Sequence, residues 1–130
     1  MRLRNSAVLA VALLAAAGSA NAATRFALTC VGTETGYTIH YEYRWGDSGA
    51  WKSASVEPGR WKNHTWDYDR PGENRSPTFQ VRYDDDLGNG TNHVITKLES
   101  FAAENNNCEA EGKTYDFIAQ GNELFIQDSD

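Results

Sequence analysis

The chain has 130 residues, 12 Lys and Arg against 18 Asp and Glu, and a formal net charge of −6. That length suits one domain. The acidic balance repels phosphate backbones, so nucleic acid and anionic membranes are poor partners.

The N-terminus has the form of a targeting segment. Arg2 and Arg4 open it, residues 7–17 are an unbroken apolar run, and Ala20-Asn21-Ala22 is the small-x-small pattern of a signal-peptidase site. The apolar run is shorter than the roughly 20 residues a spanning helix needs. Residues 1–22 are therefore expected to be a signal peptide. Residues 23–130 are expected to be a single domain, secreted or periplasmic, with no membrane span after cleavage. Loss of Arg2 and Arg4 leaves 10 basic residues against 18 acidic ones, a net charge of −8. Cys30 and Cys108 both lie in this part. In an exported chain two cysteines predict one disulfide.

Residues 25–31 alternate Phe26, Leu28 and Cys30 against Ala27, Thr29 and Val31, a first strand. A turn at 32–36 leads into the longest alternating stretch. There Tyr37, Ile39, Tyr41, Tyr43 and Trp45 face one way and Thr38, His40, Glu42 and Arg44 the other. The aromatic edge needs a second layer to pack on. Gly46-Asp47-Ser48-Gly49 turns the chain, 51–56 is a third strand, and Glu57-Pro58-Gly59-Arg60 has proline and glycine placed for a type II turn. Residues 61–66 form a fourth strand, expected to pair with the third as a hairpin. A polar connection over 67–77 follows.

Residues 78–83 resume alternation, with Phe79, Val81 and Tyr83 inward. An acidic, glycine-rich turn over 84–90 precedes a strand over 91–98, with Val94, Thr96 and Leu98 on one side. Leu98, Phe101 and Ala102 have helical spacing, and Thr96-x-x-Glu99 resembles a capping box, which predicts one helical turn there. Residues 104–113 form a polar loop carrying Cys108. A final hairpin joins 114–119 to 124–127. About eight short strands bounded by turns predict an all-β, antiparallel β-sandwich of immunoglobulin-like shape with one disulfide. Immunoglobulin domains carry a tyrosine two residues before their second cysteine. Asn106 stands there, so the shape is expected without that family.

Arg44-Trp45-Gly46, Glu57-Pro58-Gly59, His64-x-Trp66, the run 70–77, and Phe79-x-Val81-Arg82-Tyr83-Asp84-Asp85-Asp86 resemble uncharacterised small exported bacterial β-sandwich proteins. The resemblance spans most of 23–130. It implies export and a β-fold and brings no activity and no functional residue.

Four tryptophans, Trp45, Trp51, Trp61 and Trp66, fall close together and are followed by Tyr68. Sugar rings stack on flat aromatic faces, and Asn63, Asp67, Asp69 and Glu73 supply hydroxyl partners. The leading expectation is a non-enzymatic module binding a polysaccharide or a protein at the cell exterior. Its ligand residues would be Trp61, Trp66, Tyr68, Asp67 and Asp69. The plainer reading of the same residues is core, because aromatic side chains dominate sandwich interiors. By alternation Trp61 and Trp66 lie on opposite faces of their strand.

A second expectation is a calcium-stabilised structural domain, with Asp84, Asp85, Asp86 and Asn89 as oxygen donors. The turn lacks EF-hand spacing, and the plainer reading is a solvated turn. No other cofactor is expected. His40, His64 and His93 lack the short spacings of zinc sites. A small secreted hydrolase is the third alternative. Carboxylates are plentiful, yet no nucleophile, zinc or phosphate-loop motif is present. Asn63, Asn74 and Asn89 stand in N-x-S/T sequons, which matter only in a eukaryotic host. Exposed sheet edges leave strand-addition dimers open.

Overall fold

The computed structural model describes residues 25–129. The signal peptide expected over 1–22 lies outside them. The described residues form β1 (Phe26–Thr33), β2 (Ile39–Trp45), β3 (Lys52–Val56), β4 (Lys62–Asp67), β5 (Phe79–Asp84), β6 (His93–Leu98), β7 (Phe101–Ala103), α1 (Cys108–Glu111), β8 (Lys113–Gln120) and β9 (Glu123–Asp128). One sheet has the order β3-β2-β5-β6, all antiparallel. The other has the order β9-β8-β1-β4, with β7 also paired to β1. The expected β-sandwich is the observed fold.

The core lies between the sheets. Ile39, Tyr41, Val56, Phe79, Val81, Tyr83 and Leu98 enter it from one side, and Val31, Tyr115, Phe117 and Leu124 from the other. These are the alternating inward positions, so period-2 patterning decides which face is buried. Tyr37 departs from its expected place. It precedes β2 and is 46% exposed.

β1 is buried on both faces from Ala27 to Thr33, which its sequence alternation does not suggest. Its outward residues Leu28 and Cys30 form a second cluster with Ala103 and Cys108, under Phe26 and Trp61. The cover is the 104–112 segment. It arches from β7 back to β8 and carries α1, where a polar loop was expected. Asn107 caps α1 by accepting from the Ala110 amide. Cys108 opens α1 and is bonded to Cys30, with the two Cα atoms 5.9 Å apart. The disulfide therefore holds the arch on the outer face of one sheet.

Three local expectations fail. The helical turn near Thr96–Glu99 is absent, because the chain there bends between sheets. Thr29 Oγ1 donates to the Glu99 carbonyl at 2.8 Å, and the Glu99 amide donates to Tyr115 Oη at 2.9 Å. Residues 101–103 then pair with 28–26 of β1 as the extra strand β7. β8 pairs with β1 in parallel, from Thr29↔Lys113 to Thr33↔Phe117, so the sandwich is not wholly antiparallel.

The third failure is the β3–β4 hairpin. The turn itself forms: the Arg60 amide donates to the Glu57 carbonyl at 3.2 Å, and Gly59 has φ +76°. Yet β3 pairs with β2, and β4 pairs with β1 in the other sheet. A local hairpin would leave that edge of buried β1 without hydrogen-bond partners, which is costly.

Candidate functional site

The aromatic region divides among three places. Trp61 packs against the Leu28–disulfide cluster. It lies over the bare backbone of Gly32, where an added Cβ would meet its ring at 2.9 Å. Trp66 is on the opposite face of β4, as alternation predicts. Its ring lies 5.9 Å from that of Trp45, which in turn lies 4.8 Å from Phe79. Trp66 is 36% exposed and is on an edge strand. Trp51 sits by the outer face of the four-stranded sheet. Its ring carries the guanidinium groups of Arg44 at 4.2 Å and Arg82 at 4.6 Å.

The structure thus keeps Trp66, Asp67, Tyr68 and Asp69 in one stretch and leaves Trp61 on another surface. Asp67 and Asp69 are exposed, and Tyr68 is half-buried. Burial raises the Tyr68 pKa, and the Arg25 cation nearby partly offsets this. Arg25 Nη2 also donates to the Glu73 carbonyl at 3.0 Å, so the 67–77 connection folds onto the start of β1. A cavity of about 620 Å³ opens within it, lined by Arg70, Pro71, Gly72, Glu73, Asn74 and Arg75.

The acidic turn uses its carboxylates on its own backbone. Asp84 Oδ1 accepts from the amides of Asp86 at 3.0 Å and Asn92 at 2.9 Å. Asp86 Oδ1 accepts from the Gly88 amide at 2.7 Å, and Asp85 Oδ1 from Asn92 Nδ2 at 2.9 Å. These amide bonds hold the Asp84 carboxyl below its usual pKa. Asn89 is exposed and takes no part in these bonds. Among the described residues no three His, Cys, Asp or Glu side chains are placed to hold a metal ion. Chelator is expected to leave the melting curve of the oxidised domain unchanged. A lower Tm after chelation, restored by calcium, would make the turn a calcium site.

The three histidines do not meet. His40 and His93 are exposed, on the outer face of the four-stranded sheet. His64 is 5% exposed, between the sheets. Its Nε2 is 2.7 Å from Tyr41 Oη, and the rings of Tyr43 and Phe79 lie 4.3 and 4.7 Å away. Burial, with a smaller push from Lys62, lowers its pKa to about 3. Burial likewise raises Tyr41 above the ordinary phenol value. The pair is neutral and structural.

One constellation escapes the sequence reading. Arg82 Nε and Nη2 contact Glu42 Oε1 at 2.8 and 2.7 Å. Arg44 Nε and Nη2 both donate to Gln80 Oε1 at 3.3 Å, and Gln80 Nε2 donates to Asp47 Oδ1 at 2.6 Å. Gln80 is 2% exposed although it faces away from the core. Alternation shows these residues to be outward. The cross-strand register that joins them, Glu42↔Arg82 and Arg44↔Gln80, emerges only from the fold.

No family model, curated protein or solved structure matches this chain. The fold and its sites define a disulfide-pinned β-sandwich. Among the described residues, no helix is long and apolar enough to cross a membrane.

Proposed function

We propose that this domain is an exported, non-enzymatic binding module, secreted or periplasmic, that holds a polysaccharide at the cell exterior. The observation that carries this reading is Trp66: a large aromatic ring, 36% exposed, on an edge strand and backed by Trp45. An exposed ring supported from behind is a rigid stacking surface with little conformational entropy to lose. Tyr68 follows two residues on and is half-buried, and the exposed Asp67 and Asp69 flank it in sequence as candidate acceptors for sugar hydroxyls. Binding here makes and breaks no covalent bond. The disulfide fits an oxidising compartment.

The test is affinity electrophoresis of oxidised 23–130 through gels containing xylan, soluble cellulose ether, glycol chitin or peptidoglycan fragments. Retardation by at least one polymer is expected. Trp66→Ala is expected to weaken it about tenfold, about 1.4 kcal/mol, with the melting transition kept. Retardation that survives Trp66→Ala would move the site elsewhere. Unfolding of the variant would return Trp66 to a core role.

A further inference from the structure

The outer face of the four-stranded sheet holds a groove of about 300 Å³, at the small end of ligand pockets. His40, Glu42, Ser53, Arg82, Asp84 and His93 supply its polar lining. All six stand on strands, where the backbone fixes their positions. Arg82 is held between Glu42 and the ring of Trp51. The neighbouring Arg44–Gln80–Asp47 chain locks the next row, with Gln80 buried. One oxygen of each carboxylate is engaged internally: Glu42 Oε1 by Arg82, and Asp84 Oδ1 by two amides. Glu42 Oε2 and Asp84 Oδ2 are not used in those bonds.

The lining selects by chemistry. Two carboxylates repel an anion. Arg82 neutralises Glu42, and no three His, Cys, Asp or Glu side chains among the described residues are placed to hold a metal ion. Tyr41, Ala54 and Tyr83 also line the groove, but their side chains belong to the core side of the sheet and offer little to a greasy ligand. What remains complementary is a neutral molecule with several hydroxyls, each able to donate to one acceptor and accept from another. We propose that this groove is a second ligand site that takes one neutral sugar ring. It lies apart from the Trp66 platform. Trp45, under Trp66, faces the core about 16 Å along β2 from His40, which faces outward. A domain with both sites holds two points on one glycan or joins two chains, and its avidity exceeds either contact alone.

The test is a ¹⁵N amide titration of oxidised 23–130 with the methyl glycosides of glucose, galactose, mannose and N-acetylglucosamine, each to its solubility limit. Expected are saturable shifts at the amides of Glu42, Ser53, Arg82 and His93 with at least one sugar. They should persist in Trp66→Ala. Ser53→Leu, at an exposed position outside the hydrogen-bond network, should fold normally and weaken these shifts at least tenfold. The uronate of the same sugar should also bind at least tenfold more weakly. Shifts confined to the Trp66 side would overturn the groove and leave the platform standing. Groove shifts that survive Ser53→Leu, or a uronate that binds as well, would overturn the groove as assigned. Silence everywhere would overturn the groove, and the platform would stand or fall on the polymer gels.

Discussion

Lowering the pH from 7 to 4 is expected to remove about 3 kcal/mol of folding stability through His64 alone. In the unfolded chain this imidazole has an ordinary pKa near 6.5. In the fold it is sealed among Tyr41, Tyr43 and Phe79, and its pKa falls to about 3. Above pH 6.5 the ring is neutral in both states, and its favourable packing is fully present. As pH drops below 6.5 the unfolded chain takes up a proton that the folded chain refuses. Stability then falls with pH until the folded value is reached. A domain of this size has only about 5–15 kcal/mol in hand, so the effect is large. Urea unfolding at pH 7 and pH 4 measures it. Surface carboxylates such as Asp84 and Glu111, partly exposed and held low by amide hydrogen bonds, add acid sensitivity of the same sign. His64→Gln separates the contributions. The variant starts less stable, and it should lose about 3 kcal/mol less than the wild type over the same interval. Equal losses would show that His64 titrates normally in the fold.

Reduction of Cys30–Cys108 is expected to cost roughly 4–5 kcal/mol by the loop-closure argument, since the bond spans 78 positions of sequence. For a domain near 100 residues that corresponds to a fall in Tm of roughly 15–30 °C. The bond also does local work. It fixes the 104–112 arch over Leu28, and without it the outward face of β1 has no pinned cover. Melting with and without a thiol reductant, and melting of a Cys30→Ala/Cys108→Ala variant, should both show the drop. A change of only a few degrees would mean that the arch and its contacts hold unaided.

Much of the sandwich was legible because its faces differ. Tyr41, Phe79, Val81 and Tyr83 are buried, and Glu42, Arg44 and Arg82 lie on the other side, as period-2 alternation requires. The terminal hairpin and the Glu57–Arg60 turn were legible from glycine and proline chemistry. Pairing between distant segments was not. The partner of β4 depends on which buried edge needs hydrogen bonds, and that edge belongs to β1, some thirty residues earlier. The parallel β1–β8 pair and the three-residue β7 have the same origin. Helical spacing at Leu98, Phe101 and Ala102 is a local signal, and the Thr29 and Tyr115 side chains override it. The burial of His64 has no signal in its sequence spacing. One hydrogen bond to Tyr41 and a ring of aromatics suffice to bury it.

The same limit applies to the candidate sites. Trp66 was legible as one of two tryptophans on opposite faces, and the fold supplies its backing ring, Trp45. Trp51 was legible only as part of an aromatic cluster. Its two arginines come from β2 and β5, and the register between those strands is what makes the polar groove.

The most direct test of Trp66 as a ligand platform is acrylamide quenching of tryptophan fluorescence in oxidised, native 23–130, compared with Trp66→Phe and with the wild type bound to a retarding polysaccharide. The account predicts a quenchable fraction in the free wild type, its loss in Trp66→Phe, and its protection by the polymer. Native emission as shielded in the wild type as in the variant, and unmoved by polymer, would make all four tryptophans structural and contradict the platform.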